Sequence, residues 1–128
     1  MKLSWDSRCD EVDIAGTAEE LTALAAVVTA GEGHLAVEDG ELAGIETVGT
    51  DGPGVMIRVD AARRVLAISG DADGREVLAE GLRDMASADD GGHWHIDHYP
   101  GHAWLAEGSV ALVVNSPLGG MPLRGKRS

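Results

Sequence analysis

Residues 55–86, VMIRVDAARRVLAISGDADGREVLAEGLRDMA, contain both repeat lengths from which the fold is read. In the first part apolar side chains alternate. Val55, Ile57 and Val59 share one face of a strand, and Leu66 and Ile68 share one face of the next. Asp60-Ala61-Ala62-Arg63 joins the two. After Gly70 the period changes to that of a helix, capped by Asp71 or Asp73, with Val77, Leu78, Leu82 and Met85 expected to face inward. Burying each such side chain contributes about 1.5–3 kcal/mol. Gly81 lies on the same stripe at a cost of about 1 kcal/mol relative to alanine. A close approach of the helix to a sheet would account for it.

Working outward, KLSWD and EVDIAG alternate on either side of the turn DSRCD and form a first hairpin. Thr17-Ala18-Glu19-Glu20 is a capping box, in which the Thr17 hydroxyl accepts from the Glu20 amide while Glu20 reaches back. Leu21, Leu24 and Val28 then fall on one helical face, and Gly31 provides a stop. HLAVE and GIETV are weaker strands separated by Asp39-Gly40. Beyond the second helix, Ala88-Asp89-Asp90-Gly91-Gly92 ends it, and HWHIDHY alternates as a strand. SVALVV is nearly continuously apolar and reads as a central strand. The order β-β-α-β-β-β-β-α-β-β implies an α+β fold, a largely antiparallel sheet with two helices packed on one face. No internal repeat or linker is visible. Residues 1–116 are expected to form a single domain and residues 117–128 a loose basic tail bearing Arg124, Lys126 and Arg127.

A chain of 128 residues suits one domain with a real core. Twenty-two acids against ten bases give a net charge of -12. Such a surface repels phosphate backbones, which argues against nucleic acid, and speeds encounter with a basic partner. The single Cys9 excludes an internal disulfide framework and a cysteine-based zinc site. It sits among acids, which raise its pKa and make it a poor nucleophile. No apolar run approaches the length of a membrane span, and MKLSWDSRCDE has no apolar leader region. A cytoplasmic protein without a membrane partner is the expectation.

Four of the five histidines lie in GGHWHIDHYPGH, residues 91–102. The string His93-Trp94-His95-Ile96-Asp97-His98 resembles the H-x-H-x-D-H signature of the metallo-β-lactamase superfamily, which would imply a two-metal hydrolytic centre. On a strand, His93, His95, Asp97 and Tyr99 point to one face, and Trp94, Ile96 and His98 to the other. His93 and His95 could act as two ligands, with Asp97, His102 or His34 as a third. The alternative reading is therefore a small metal-binding protein or metal-dependent hydrolase using His93, His95, Asp97 and His98. Its context is missing. The string follows a helix and a Gly-rich turn, Pro100-Gly101 follows it, and from Ala103 onward there is no His or Cys and only Glu107 as an acid. Four letters without their setting are a weak motif. The favoured reading is a strand with Trp94 and Ile96 on the core and a polar, aromatic outer face. His93, His95, Asp97 and Tyr99, with Trp104 nearby, are its candidate partner-binding residues.

Other chemistry is not supported. There is no G-x-S-x-G elbow for Ser109 or Ser116, and Gly52-Pro53-Gly54 is a turn lacking the residues of a phosphate cradle. Gly70-Asp71-Ala72-Asp73-Gly74 carries acids at alternate positions, but neither Glu76 nor Glu80 falls where a calcium loop needs its glutamate. No catalytic residue, metal or cofactor is assigned.

The segments GPGVMIRVD, VLAISGDADGREVLAEGLRDMA, GGHWHIDHYPGHAWLAEGS and LVVNSPLGGMP, with EELTALAAVVTAGEG before them, resemble the immunity protein 32 family of actinobacterial polymorphic-toxin systems. The resemblance runs from Gly54 to Met121, with the first helix fitting as well. It implies a non-enzymatic antitoxin in the cytoplasm that binds and blocks a cognate toxin domain, which the acidic surface suits if that toxin is basic. It transfers no contact residues. An exposed strand face or edge would equally serve a homodimer.

Overall fold

A computed structural model describes residues 1–119. Residues 120–128, the greater part of the expected tail, lie outside the described residues. The elements run β1 (Lys2–Asp6), β2 (Glu11–Ala15), α1 (Ala18–Ala30), β3 (Glu32–Ala36), β4 (Asp39–Gly40), β5 (Gly44–Gly49), β6 (Val55–Asp60), β7 (Val65–Gly70), α2 (Ala72–Ala86), β8 (His93–Ile96) and β9 (Ala111–Asn115). The class is α+β, as the sequence implies. Only the two-residue β4 adds to the expected order.

The strands divide between two mixed sheets, β4-β1-β2-β9-β8 and β3-β5-β7-β6. Hairpin neighbours pair antiparallel, namely β1 with β2, β3 with β5, β6 with β7, and β8 with β9. The parallel pairs β2–β9 and β5–β7 join strands far apart in the chain. One apolar core takes side chains from both sheets and both helices, among them Leu3, Ile14, Leu24, Ile57, Ile68, Leu82 and Val114.

This topology contains a repeat that the sequence does not show. Each half is a hairpin, a helix and a second hairpin: β1-β2-α1-β3-β5, then β6-β7-α2-β8-β9. Each sheet takes the first hairpin of one half and the second hairpin of the other. In both halves the link inside the second hairpin lies parallel along the edge of a first-hairpin strand. β4 pairs with Lys2 and Leu3 of β1, and Leu105 bridges Val55 of β6. The edges of β1 and β6 are thereby covered.

The helix caps set the register of the two halves. Thr17 and Asp71 both have extended backbone, and both side chains accept the amide of the third residue on, Glu20 and Gly74. Counted from these caps, Leu24, Ala25 and Val28 of α1 correspond to Leu78, Ala79 and Leu82 of α2, and all six are buried. The fourth pair differs, because Leu21 corresponds to Arg75. Arg75 is buried and spans to the other helix, where its guanidinium donates to the Val28 and Thr29 carbonyls at 2.9 Å, and also to Gly70 O at 3.0 Å. It thus satisfies the last carbonyls of α1, whose final turn has no basic residue of its own. Gly31, left-handed at φ 77°, ends α1 beneath that guanidinium, and a Cβ there would lie 2.6 Å from Arg75 Nη1.

Two inward assignments in α2 need comment. Met85 packs partly buried against the core, but Val77 is 43% exposed. The buried stripe is Gly74, Arg75, Leu78, Ala79, Leu82 and Ala86. Val77 lies to one side of it, and Arg75 occupies the position that an apolar side chain would have marked.

Candidate partner-binding surface

β8 is held by β9, its one strand neighbour among the described residues, with His93 opposite Asn115 and His95 opposite Val113. Alternation works as expected within the strand. His93 and His95 are exposed, Trp94 is half-buried, and Ile96 is buried. The strand stops at Ile96, so Asp97 and Tyr99 do not continue its outer face. Both are exposed, in the connection that leads to β9.

His95 lies on the outer face of the first sheet, its Nε2 3.5 Å from Glu11 Oε2 on β2. That face also presents Asp6, Asp13 and Glu41 around an open concavity. Its charges are largely engaged. Arg8 grips Asp6 through its guanidinium and backbone amide and holds the Asp6 carboxyl down to about 2. Asn115 donates to Asp13 at 2.6 Å, and Glu41 accepts the Trp5 amide at 2.9 Å. Cys9 sits beside Asp6. Desolvation, followed by that carboxylate's charge, pushes its thiol pKa up.

The connection after β8 is organised by His102, which the sequence marked only as a spare ligand. Its amide closes a turn onto Tyr99 O at 3.0 Å, and its Nδ1 accepts the amides of Trp104 at 3.2 Å and Leu105 at 3.0 Å. The ring sits among other rings, 4.8 Å from Tyr99, 6.3 Å from His98 and edge-on to Trp104 at 5.2 Å. Trp104 in turn lies 6.5 Å from Trp94. The connection is tied to β6, since Val55 donates to Trp104 O at 2.7 Å, Ala106 to Val55 O at 2.7 Å, and Val110 to Ile57 O at 2.9 Å.

The candidate residues therefore fall into two groups. His95 stands on the sheet's outer face beside Glu11, and His93, exposed on the same strand, borders the concavity between α2 and Trp94. Tyr99 and Trp104 belong to the ring cluster, with Asp97 exposed just beyond the end of β8. The metal alternative meets the same division. Among the described residues no group of three His, Cys, Asp or Glu side chains converges as a metal site, and His98 turns toward His102. His34 is far in the topology, on β3, with its Nδ1 3.3 Å from Glu46. Among the described residues no helix is long and apolar enough to cross a membrane.

Residues 65–117, which run from β7 through α2 and β8 past the end of β9, match the family model of Immunity protein 32. Searches of the curated proteins and of the solved structures each returned no match.

Proposed function

Taking the match of residues 65–117 to Immunity protein 32 as premise, we propose that this chain is an antitoxin that binds a cognate toxin domain and blocks it without chemistry of its own. That match is the observation that carries the reading. The net charge of -12 supports a basic toxin as partner, because opposite charge speeds encounter and suppresses wrong partners. The reading places the encounter in the cytoplasm. Among the five candidate residues, Tyr99 and Trp104 are placed at the contact, and His93, His95 and Asp97 at its margin.

Co-expression tests the proposal. The neighbouring gene should encode a toxin domain that arrests growth alone, and this chain should restore growth and co-purify with it as a stoichiometric complex. Continued arrest with no complex would contradict the assignment.

A further inference from the structure

Helix α2 carries a stripe that the core does not use. Asp73, Val77, Glu80 and Asp84 recur at helical spacing, and all four are exposed. Beside this stripe stand the two tryptophans of the ring chain. Trp94 leans over Gly81 so closely that a Cβ there would fall within the indole. The result is a furrow along the helix. Toward the C-terminus of α2 it is a concavity of about 440 Å³ in which Val77, Gly81 and Met85 face Trp94. Toward the N-terminus, Val77 faces Trp104 across Pro53 and Gly54. Val77 is common to both parts.

The rim's acidic side chains stand along α2, with His93 of β8 across from them. Among the described residues Asp73, Glu80 and Asp84 form no ion pair. The arginines of α2 are occupied elsewhere, Arg75 on the end of α1 and Arg83 on Glu76. Like charges at helical spacing repel, so this rim weakens the isolated helix slightly. The outer face of the first sheet is also acidic, but there Arg8, Asn115 and the Trp5 amide already engage its carboxylates. Among the described residues no exposed aliphatic side chain lines its concavity. Uncompensated carboxylates around an exposed valine and two indoles are the arrangement that a basic, apolar-tipped partner would complete.

We propose that this furrow is the toxin-binding site. It receives a toxin segment whose large apolar side chain seats over Val77 against Trp94 and Trp104, while flanking Arg or Lys side chains pair with Asp73, Glu80 and Asp84. The inference rests on the antitoxin reading and narrows it from the ring cluster as a whole to one side of it. A second copy of this chain is a poorer occupant, because its own surface carries the same charge.

The test titrates the toxin domain encoded beside the gene onto the full chain and three variants. Val77→Glu and the triple Asp73→Lys, Glu80→Lys, Asp84→Lys change exposed positions only, and their melting temperatures check the fold. Each should weaken binding by at least about 100-fold. The outer-face variant Glu11→Lys should stay within about threefold of the parent. Folded furrow variants that bind like the parent would overturn the proposal, as would loss of binding in the outer-face variant alone. In both cases the parent still binds, so the antitoxin reading stands. A parent that neither binds nor protects removes that reading and the furrow assignment together. A dimer of the free chain that Val77→Glu splits would assign the furrow to a second copy and also overturn the proposal.

Discussion

The two halves of this chain share one plan, and their differences show what each half is for. At the core positions of the helices they agree, with Leu24, Ala25 and Val28 in one and Leu78, Ala79 and Leu82 in the other. At the helix-to-strand contact they are reversed in size. Val27 of α1 packs over Gly33 of β3, where a Cβ on the glycine would lie 3.2 Å from the valine. At the corresponding place in the second half, Gly81 of α2 lies under Trp94 of β8. The first half keeps its bulk on the helix and closes the surface with small residues. The second moves its bulk to the strand as an indole, which leaves α2 hollowed at Gly81 and a furrow beside Trp94. Their hairpin links differ too. The first is short and contains β4, whereas residues 97–110 carry the ring cluster.

The largest effect is expected at Arg75, where the halves differ most in chemistry. Arg75→Leu would copy Leu21 but strip the Val28 and Thr29 carbonyls of their charged donor. A loss of about 2–4 kcal/mol in urea unfolding is expected, because buried acceptors lose a charged partner. A loss below about 0.5 kcal/mol would mean that water replaces the guanidinium at no cost.

Gly81→Val tests the size reversal. It forces the Trp94 indole to move and should cost about 1–3 kcal/mol as overpacking. Adding Trp94→Gly, which copies Gly33, should cost less than the sum of the two single changes, a coupling that a double-mutant cycle reads directly. Additive costs would show that the two positions do not share one space.

The caps differ in kind. Thr17→Ala should cost about 1 kcal/mol near neutral pH, since the threonine hydroxyl caps without a charge of its own. Asp71 is a carboxylate that accepts the amides of Gly74 at 2.8 Å and Gly54 at 3.0 Å, and those bonds hold its pKa below the ordinary 3.8. With the folded value depressed, its stabilisation is fully present above the unfolded pKa and is lost as pH falls through the folded one. The stability gap between the parent and Asp71→Asn should therefore narrow under acid by more than the Thr17→Ala gap, in which only the neighbouring Glu20 carboxylate titrates. Melting curves across pH 2–7 check this, and parallel pH profiles would contradict it.

The smallest effect should be a gain. Thr47 of β5 is buried with a hydroxyl that has no partner among the described residues, and its counterpart in the register of the second half is Val114 of β9. Thr47→Val should raise stability by roughly 0.5–1 kcal/mol, since an unpartnered buried hydroxyl is costly. A lower melting temperature would reveal a partner for the hydroxyl in solution.

What was legible in the sequence was local. The cap at Thr17, the cap at Asp71 (one of two acids, with Asp73, that the sequence offers), the stop at Gly31, and the inward turn of Trp94 and Ile96 follow from short-range patterns that the structure repeats. The division into two sheets was not legible, because β2–β9 and β5–β7 pair residues far apart and alternation says nothing about which strand lies alongside. The repeated plan stayed hidden for a related reason, since Leu21 against Arg75 and Val27 against Gly81 erase the sequence likeness. At the candidate site, periodicity placed His93 and His95 outward but could not announce that β8 ends at Ile96. Val77 reads as core in the sequence because aliphatic side chains near a buried stripe usually belong to it, whereas in the structure its exposure opens the furrow.

The central claim is that the second half presents the partner surface while the first half supports it. Amide hydrogen exchange on the full chain, free and with the toxin domain bound, tests this directly. The account predicts slowed exchange in the outer turns of α2 and in residues 94–104, with β1, β2 and α1 unchanged. Protection confined to β1 and β2, with α2 exchanging as in the free chain, would contradict it.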